Sequence, residues 1–462
     1  MSTDLFISTA SGGRDKQTVD FLNQLFLYAA TQGISDIHFE AAARDWNIRI
    51  RRQGELEEIQ RVRNEIGMEI NLKIRSKSKM ELADRGAPLD GRFSLVYEGE
   101  GVAVDVRVSI VPTERGSTIV CRVLDQKNAT RDFEEINMTA EVRECVRTLI
   151  EEPNGLFLVT GPTGSGKTST LYSIIGELNT PTRKILTIED PVEYQVDGLQ
   201  QIPITQNNSF PDALRAALRQ DPDIILVGEI RDAETAKIAV SAASTGHLVL
   251  STLHTNDASS SIMRMMDLGV DAFTLGSCLK GVLAQRLVVG INGEKQFVPP
   301  SLHEKIWLSS HGIEDLESPV ALPVSEGGMG GRVPVMELIM VDRDVKTAMA
   351  MGDVKAVKAA ARKQRQYMSL PEAGAFLSRR GMTTLAQVRN IASNIDVESG
   401  RRKIGEILVQ EGRITQRQLD RALEIQIDLK TKGTSKLLGE ILISMGVCSI
   451  EDVNDCISLQ SA

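Results

Sequence analysis

The run GPTGSGKT (161–168) follows the apolar stretch LFLVT (156–160) and leads into a helical pattern, STLYSIIGEL (169–178). It satisfies G-x4-G-K-[ST] in the strand–turn–helix setting that the pattern requires. Gly161, Gly164 and Gly166 let the backbone turn tightly, so that its amides converge on phosphate oxygens at a helix start. Lys167 can reach the β- and γ-phosphates of a nucleotide, and Thr168 can ligate magnesium. Pro162, Thr163, Ser165 and Ser169 complete the expected ATP-binding set.

The surrounding pattern agrees with that turn. From about 140 to 290, LFLVT, KILTI (184–188), DIILVG (223–228) and HLVLSTL (247–253) alternate with helical spacings. Such near-continuous apolar runs indicate strands buried on both faces of a largely parallel sheet, an α/β arrangement with crossover helices. Residues 1–125 read instead as α+β. Val19, Leu22, Leu25, Phe26 and Ala29 lie at helical spacing before Gly33, and five strand-like runs follow. In Val102–Ile110, valines alternate with Ala103, Asp105, Arg107 and Ser109, as in a half-buried strand. The polar stretch 126–137 reads as a linker, and 292–332, with Pro299-Pro300 and SEGGMGG, as an irregular insertion. Helical patterns resume from Val341 to about Ala392. The expected domains are 1–130, 138–395 and 396–462.

Composition narrows the classes. With 42% hydrophobic and 25% charged residues over 462 positions, the chain is globular, and at roughly 150 residues per domain about three domains fit. Fifty-three basic residues against 62 acidic ones leave a net charge of −9, which speaks against a protein that coats nucleic acid. No apolar run of about 18 residues exists, so no spanning helix is expected. The opening MSTDLFISTASGGRDK lacks the basic and apolar segments of a secretory signal. Five scattered cysteines without a CxxC pair read as a reduced, cytoplasmic protein.

The remaining candidates cluster after the loop. Glu229 closes the run IILVGE, where a carboxylate beside a phosphate loop can orient or deprotonate the attacking water. Glu189, Asp190 and Glu193, in IEDPVEY, either polarise water or hold magnesium through its waters, or form an ordinary acidic loop. His247 and His254 flank one strand, as catalysts or as packed, hydrogen-bonded side chains.

GPTGSGKTST, TIEDPVEY, LRQDPDIILVGEIRD (218–232) and STGHLVLSTLHTNDA (244–258) closely resemble the Walker A, Asp, Walker B and His boxes of the secretion ATPases that power type II secretion and type IV pili. The match extends through QGISDIHFE (32–40), LAQRLV (283–288) and GGRVPVMEL (330–338), covering roughly 18–395. The resemblance implies a RecA-like P-loop core behind an amino-terminal PAS-like α+β domain. It implies a cytoplasmic homo-hexamer that hydrolyses ATP with magnesium and drives an inner-membrane platform protein. By the same resemblance Glu229 is the catalytic carboxylate, His247 and His254 respond to the γ-phosphate, and Arg92 and Arg107 supply positive charge to it. Leu89 stands where the family often has glutamine. Residues 286–440 contain no cysteine, so the zinc site of assembly-type members is not expected. SDIHFE and FLNQLFLYAATQG resemble the assembly and export branch more than the retraction branch. A pilus retraction ATPase, a RecA-like DNA translocase and a nucleotide-gated switch are the competing readings.

The tail repeats itself: KIGEILVQEGRITQRQLDRALEIQ (403–426) aligns with LLGEILISMGVCSIEDVNDCISLQ (437–460) at an offset of 34 residues. It resembles the tandem MshE-type amino-terminal domain of some secretion ATPases, which in certain members binds cyclic di-GMP. Gly405, Gly439, Gln426 and Gln460 match that motif, but its opening arginine is Lys403 in one copy and Leu437 in the other. Neither offers the planar fork that pairs with phosphate or guanine, so a helical module that docks protein is expected rather than a nucleotide site.

Overall fold

A computed structural model gives the structure of the protein and describes residues 14–52, 55–83, 86–97, 99, 102–125, 132–205, 207–325, 328–398, 404–431, 438–449 and 452. They form two compact units, Met1–Arg131 with Val192–Asp197, and Asp132–Pro191 with Gly198–Ala462.

The first unit opens with α1 (Arg14–Thr31), whose Phe21, Leu22, Leu25, Phe26 and Ala29 are all buried. The chain leaves this helix at Gly33 with φ of 66°, the left-handed conformation that glycine supplies at helix ends. Six antiparallel strands follow: β1 (Ile34–Ala41), β2 (Asp45–Arg52), β3 (Glu55–Arg63), β4 (Leu89–Tyr97), β5 (Val102–Thr113) and β6 (Gly116–Asp125). Their order is β3-β2-β1-β6-β5-β4, and α2 (Asn64–Lys77) joins β3 to the β4 side. In β5, Val102, Val104, Val106, Val108 and Ile110 are buried while Asp105, Arg107 and Ser109 are half-exposed, the period-2 pattern read from the sequence. Helices α1 and α2 close over this face as one core, where Phe26 meets Phe93 edge-on at 5.3 Å. This is the amino-terminal α+β unit. Strand β3 has no counterpart in the hydrophobic pattern, because ELEEIQRVR sits at the sheet edge and is held by pairing to β2 rather than by burial.

The second unit is built on β7 (Gly155–Thr160), β8 (Ile185–Glu189), β9 (Gln200–Pro203), β10 (Ile224–Val227), β11 (Leu248–Leu253), β12 (Leu279–Ile291) and β15 (Met329–Met340). Their order is β15-β12-β7-β11-β10-β8-β9. All neighbours run parallel except β15, which pairs antiparallel to β12. Every residue of β7 and β11 is buried, and each fully buried aliphatic side chain contributes about 1.5–3 kcal/mol. The crossover and flanking helices are α3 (Ala140–Ile150), α4 (Lys167–Leu178), α5 (Phe210–Leu218), α6 (Ala233–Ser244), α7 (Ala258–Asp267) and α8 (Ala272–Cys278). Asp232, Asp257 and Asp271 start α6, α7 and α8 by accepting the amides of Thr235, Ser260 and Thr274.

The described part of the stretch expected to be irregular contains regular elements. Strands β13 (Lys295–Val298) and β14 (Val320–Pro323) pair as a small antiparallel sheet around α9 (Leu302–Ser310), which Ser301 and Glu304 open with a reciprocal capping box. Leu308, Ile313 and Val320 pack there with Ala375, Leu385 and Val388, so a local core forms that Pro299-Pro300 conceals in the sequence. Helices α10 (Arg343–Ala350), α11 (Val354–Ala361), α12 (Leu370–Arg379) and α13 (Leu385–Glu398) follow. Among the described residues no helix is long and apolar enough to cross a membrane.

The tail contributes α14 (Ile404–Gln410), α15 (Gln416–Thr431) and α16 (Leu438–Ser444) around Leu408, Ile414, Leu419, Ala422, Ile441 and Leu442. The two copies share one turn. Gly412 and Gly446 have φ of 68° and 67°, the amides of Arg413 and Val447 return to Leu408 and Leu442, and Thr415 and Ser449 bond Gln418 and Asp452. At Gly405 a Cβ would lie 2.6 Å from Leu419 Cδ1, so this glycine serves helix packing. Lys403, Leu437 and Gln460 lie outside the described residues.

Gly67 on α2 provides the sharpest packing test of the first unit, since a Cβ there would lie 2.2 Å from the Trp46 ring. Gly67→Val should destabilise that unit by roughly 2 kcal/mol through overpacking. Calorimetric melting of the variant that superimposes on the parent would refute the tight α2–β2 contact.

Candidate nucleotide site

The parallel register places four segments on one rim of the second sheet. Thr160 lies beside Leu253, Val227 beside Ser251, and Ile188 beside Val227, so the residues just beyond each strand share the carboxyl edge. That rim is where open α/β sheets bind ligands. It holds the loop 161–166, Glu229, His254 and Asp190.

The loop turns at Gly161, Gly164 and Gly166, with φ of 148°, 79° and 85°. Gly161 and Gly166 are required twice over: a Cβ on the first would lie 2.4 Å from the Gln285 carbonyl, and on the second 2.7 Å from Gln285 Nε2. Pro162, Thr163 and Gly164 are exposed at the loop's crest, Thr168 is exposed and Ser169 half-exposed on the first turn of α4. Ser165 is buried, and its hydroxyl has no hydrogen-bond partner among the described residues. Lys167 folds back, its ammonium donating to the carbonyls of Gly161 at 2.7 Å and Pro162 at 3.0 Å. Burial pushes its pKa down to about 8; the nearby Glu229 charge opposes that shift and Arg286 adds to it.

Glu229 is nearly buried, its side chain 12% exposed. One carboxylate oxygen forms a short ion pair with Arg231, and the other lies 3.4 Å from His254 Nε2. Burial, reinforced by the charges of Lys167 and Arg231, holds the His254 pKa below its ordinary value against the pull of Glu229. That shift favours the neutral imidazole. The ion pair with Glu229 raises Arg231.

Other expected residues fall elsewhere. His247 stands at the opposite end of β11, where its carbonyl accepts from the Gly155 amide and its Nδ1 contacts the Ala242 carbonyl at 3.2 Å. The length of β11 separates the two histidines by roughly 20 Å, so only His254 reaches the rim. Glu189 is a correction. It shares the inward face of β8 with Thr187, is 4% exposed, and accepts from Tyr172 and Thr187 at 2.6 Å and from Gln201 at 3.2 Å. A carboxylate so fully bonded holds the sheet together and is not free for a hydrated magnesium ion. Asp190 is exposed, and its charge acts on Arg231. Thr168, exposed at the start of α4, fits a magnesium ligand.

Glu193 lies in the first unit, where both its oxygens engage Arg107 at 3.1 Å and the Val192 carbonyl accepts from the same guanidinium at 2.9 Å. Arg92 on β4 stands directly opposite Arg107 on β5, and the two line a small cleft with Ser94, Asp105, Glu193 and Gln195. The spacing in DVRVS and PLDGR contains no sign of this cross-strand pairing.

The sequence reading missed Gln285 and Arg231 as site residues. Gln285 is 2% exposed; its Nε2 donates to the Ser165 carbonyl at 2.8 Å and its Oε1 accepts from Thr170 at 2.7 Å. It lies in LAQRLV, a box visible in the sequence without a chemical role attached.

Lys167 predicts how the site responds to pH. Its free pKa of about 8 must rise when phosphate replaces the carbonyls, so binding favours the protonated form. ADP affinity should be flat below that value and weaken above it by up to about tenfold per pH unit. Titrations at pH 7, 8 and 9 check this, and a constant Kd would show that the ammonium does not meet the phosphates.

The profile described as "Type II/IV secretion system protein" matches residues 13–390. The type II secretion system protein E of Pectobacterium carotovorum subsp. carotovorum is 41% identical over 345 residues, 73% of this chain and 68% of that protein. A putative type II secretion system protein E of Escherichia coli (strain K12) is 38% identical over 382 residues, 81% of this chain and 77% of the relative. Among solved structures, the ATPase DotB of Legionella pneumophila aligns with a TM-score of 0.62 at 23% identity, covering 81% of this chain and 96% of its own. The pilus retraction motor PilT with bound ADP aligns with a TM-score of 0.57 at 27% identity, covering 80% and 96%. With a RecA-like core, a phosphate loop and an acidic strand end in the expected places, this chain belongs to the type II/IV secretion system protein family.

Proposed function

We propose that the chain is the hexameric motor ATPase of a type II-like secretion or type IV pilus assembly machine, working at the inner membrane through a platform protein. The observation that carries the reading is the convergence of Lys167, Glu229 and His254 on one rim of a parallel sheet. ATPase relatives and the family match support the enzymatic activity. The relatives named as type II secretion proteins favour the secretion branch over retraction.

The chemistry follows from the residues. The amides of 161–166 and the Lys167 ammonium cradle the phosphates and offset charge as it develops on the γ-phosphoryl group. Glu229 takes up the proton of the attacking water as its oxygen bonds to phosphorus. The bond between phosphorus and the β,γ-bridging oxygen breaks, and ADP leaves. His254, beside Glu229, registers whether the γ-phosphate is present. Thr168 would hold magnesium, which would supply charge neutralisation to the phosphates. Arg92 and Arg107 supply positive charge to the γ-phosphate, and Glu193 is the anion that Arg107 engages in this structure. The repeats of the tail dock a protein partner or a neighbouring subunit.

Two substitution sets test this. Lys167→Ala should lose nucleotide binding and turnover, whereas Glu229→Gln should bind ATP and lose hydrolysis. Wild-type turnover by Glu229→Gln would remove it from the catalytic role. Arg107→Ala should fold and assemble normally yet lose roughly 10²–10³ in kcat, the usual cost of a missing charge-stabilising donor. Full activity in a steady-state ATPase assay would place Arg107 outside the reaction.

A further inference from the structure

Strand β12 runs past the end of its neighbour β7. Ala284 is the last residue in register with β7, opposite Thr160, so Gln285 and Arg286 continue beside the phosphate loop itself. Successive side chains on a strand point to opposite faces. Gln285 therefore turns toward α4 and the loop, bridging the Ser165 carbonyl and the Thr170 hydroxyl, while its own carbonyl fills the space beside Gly161. Arg286 turns the other way. Its guanidinium, 5% exposed in total, donates to the Asn256 carbonyl at 2.7 Å and the Asn256 side-chain oxygen at 3.2 Å. It also reaches back to the Gln285 carbonyl at 3.2 Å, the same oxygen that backs Gly161. Asn256 follows His254 by two residues, and Asp257 is pinned in turn by Lys358 at 2.7 Å while it caps α7. The segment from His254 to Asp257 is thus fastened at its far end by Arg286 and Lys358, while at its start the Gly161 amide donates to the Leu253 carbonyl at 3.3 Å.

We propose that Gln285 and Arg286 are a pair of positioning residues that tie the shape of the phosphate loop to the placement of His254. Neither touches the reacting atoms. Gln285 sets how the loop amides present themselves to the β-phosphate, and Arg286 sets how far His254 stands from Glu229. Because both act through one peptide unit and one shared carbonyl, their effects on turnover are coupled. The proposal rests on the rim being an ATP site, and it adds a physical link between nucleotide grip and γ-phosphate sensing.

The test is a double-substitution cycle on the full chain with Gln285→Met, which keeps the volume and removes both bonds, and Arg286→Lys, which keeps the charge and removes the fork. ADP affinity is read by fluorescent-ADP titration, and kcat and KM by steady-state ATPase assay. Gln285→Met should weaken ADP binding roughly tenfold, as expected when buried hydrogen bonds to the loop are left unmade. Arg286→Lys should leave ADP affinity within about twofold and lower kcat roughly tenfold, with little change in KM. The double variant should depart from additivity in kcat by about fivefold or more, as residues sharing one network do. Additivity within about twofold, or a loss of thermal stability with unchanged ADP affinity and kcat, overturns the proposal. If Gln285→Met does not fold, Gln285→Glu replaces it: the lost amide donor should weaken ADP binding while the Thr170 bond persists, and unchanged binding counts against the pair. ADP binding is read without turnover, so an inactive parent that still binds ADP defeats the ATPase reading while the affinity arm remains measurable.

Discussion

The rest of the second unit depends on how closely β12 approaches the phosphate loop. The Gln285 carbonyl and amide occupy the volume that side chains at 161 and 166 would need, so the loop can wrap the end of β7 only with glycine at both positions. The loop in turn fixes where α4 begins and hence where Lys167 projects. Burial then holds the ammonium against two carbonyls and pushes its pKa down to about 8. A cation kept dry and only partly satisfied is ready to exchange those carbonyls for phosphate oxygens.

Charge balance on the same rim follows from that arrangement. Glu229 is nearly buried opposite Lys167 and is met by Arg231 on one oxygen and His254 on the other. The carboxylate is thereby oriented by two partners, of which Arg231 is the exposed one, its side chain 65% exposed. The buried acid Glu337 on β15 shows the opposite choice. Burial, and after it the neighbouring Asp257 charge, push its pKa up to about 8, and Tyr367 donates to it within the core.

The amino-terminal unit organises its arginines by a different device. Antiparallel register sets Arg92 against Arg107 across β4 and β5, and the Glu193 carboxylate brings the segment 192–197 onto that pair. An ion pair of this exposure is weakly stabilising. It holds the Arg107 guanidinium against Glu193 at little cost to either side chain.

Local pattern was enough for much of this. The strand–glycine-loop–helix turn, the buried strands 155–160, 185–189, 224–227 and 248–253, and the alternation of β5 are all legible because burial and period act over a few neighbouring residues. The 34-residue repeat was equally plain, and its two turns fold alike at Gly412 and Gly446. What sequence alone left undecided depends on partners distant along the chain. Glu189 and Asp190 are adjacent acids, yet strand alternation sends the first to Tyr172 and Gln201 in the core and the second to the rim. His247 and His254 look equivalent at the two ends of one strand, and only the direction of a parallel sheet decides which of them meets Glu229. Gln285 stands 120 residues beyond Ser165, so its place under the phosphate loop exists only once β12 has paired with β7.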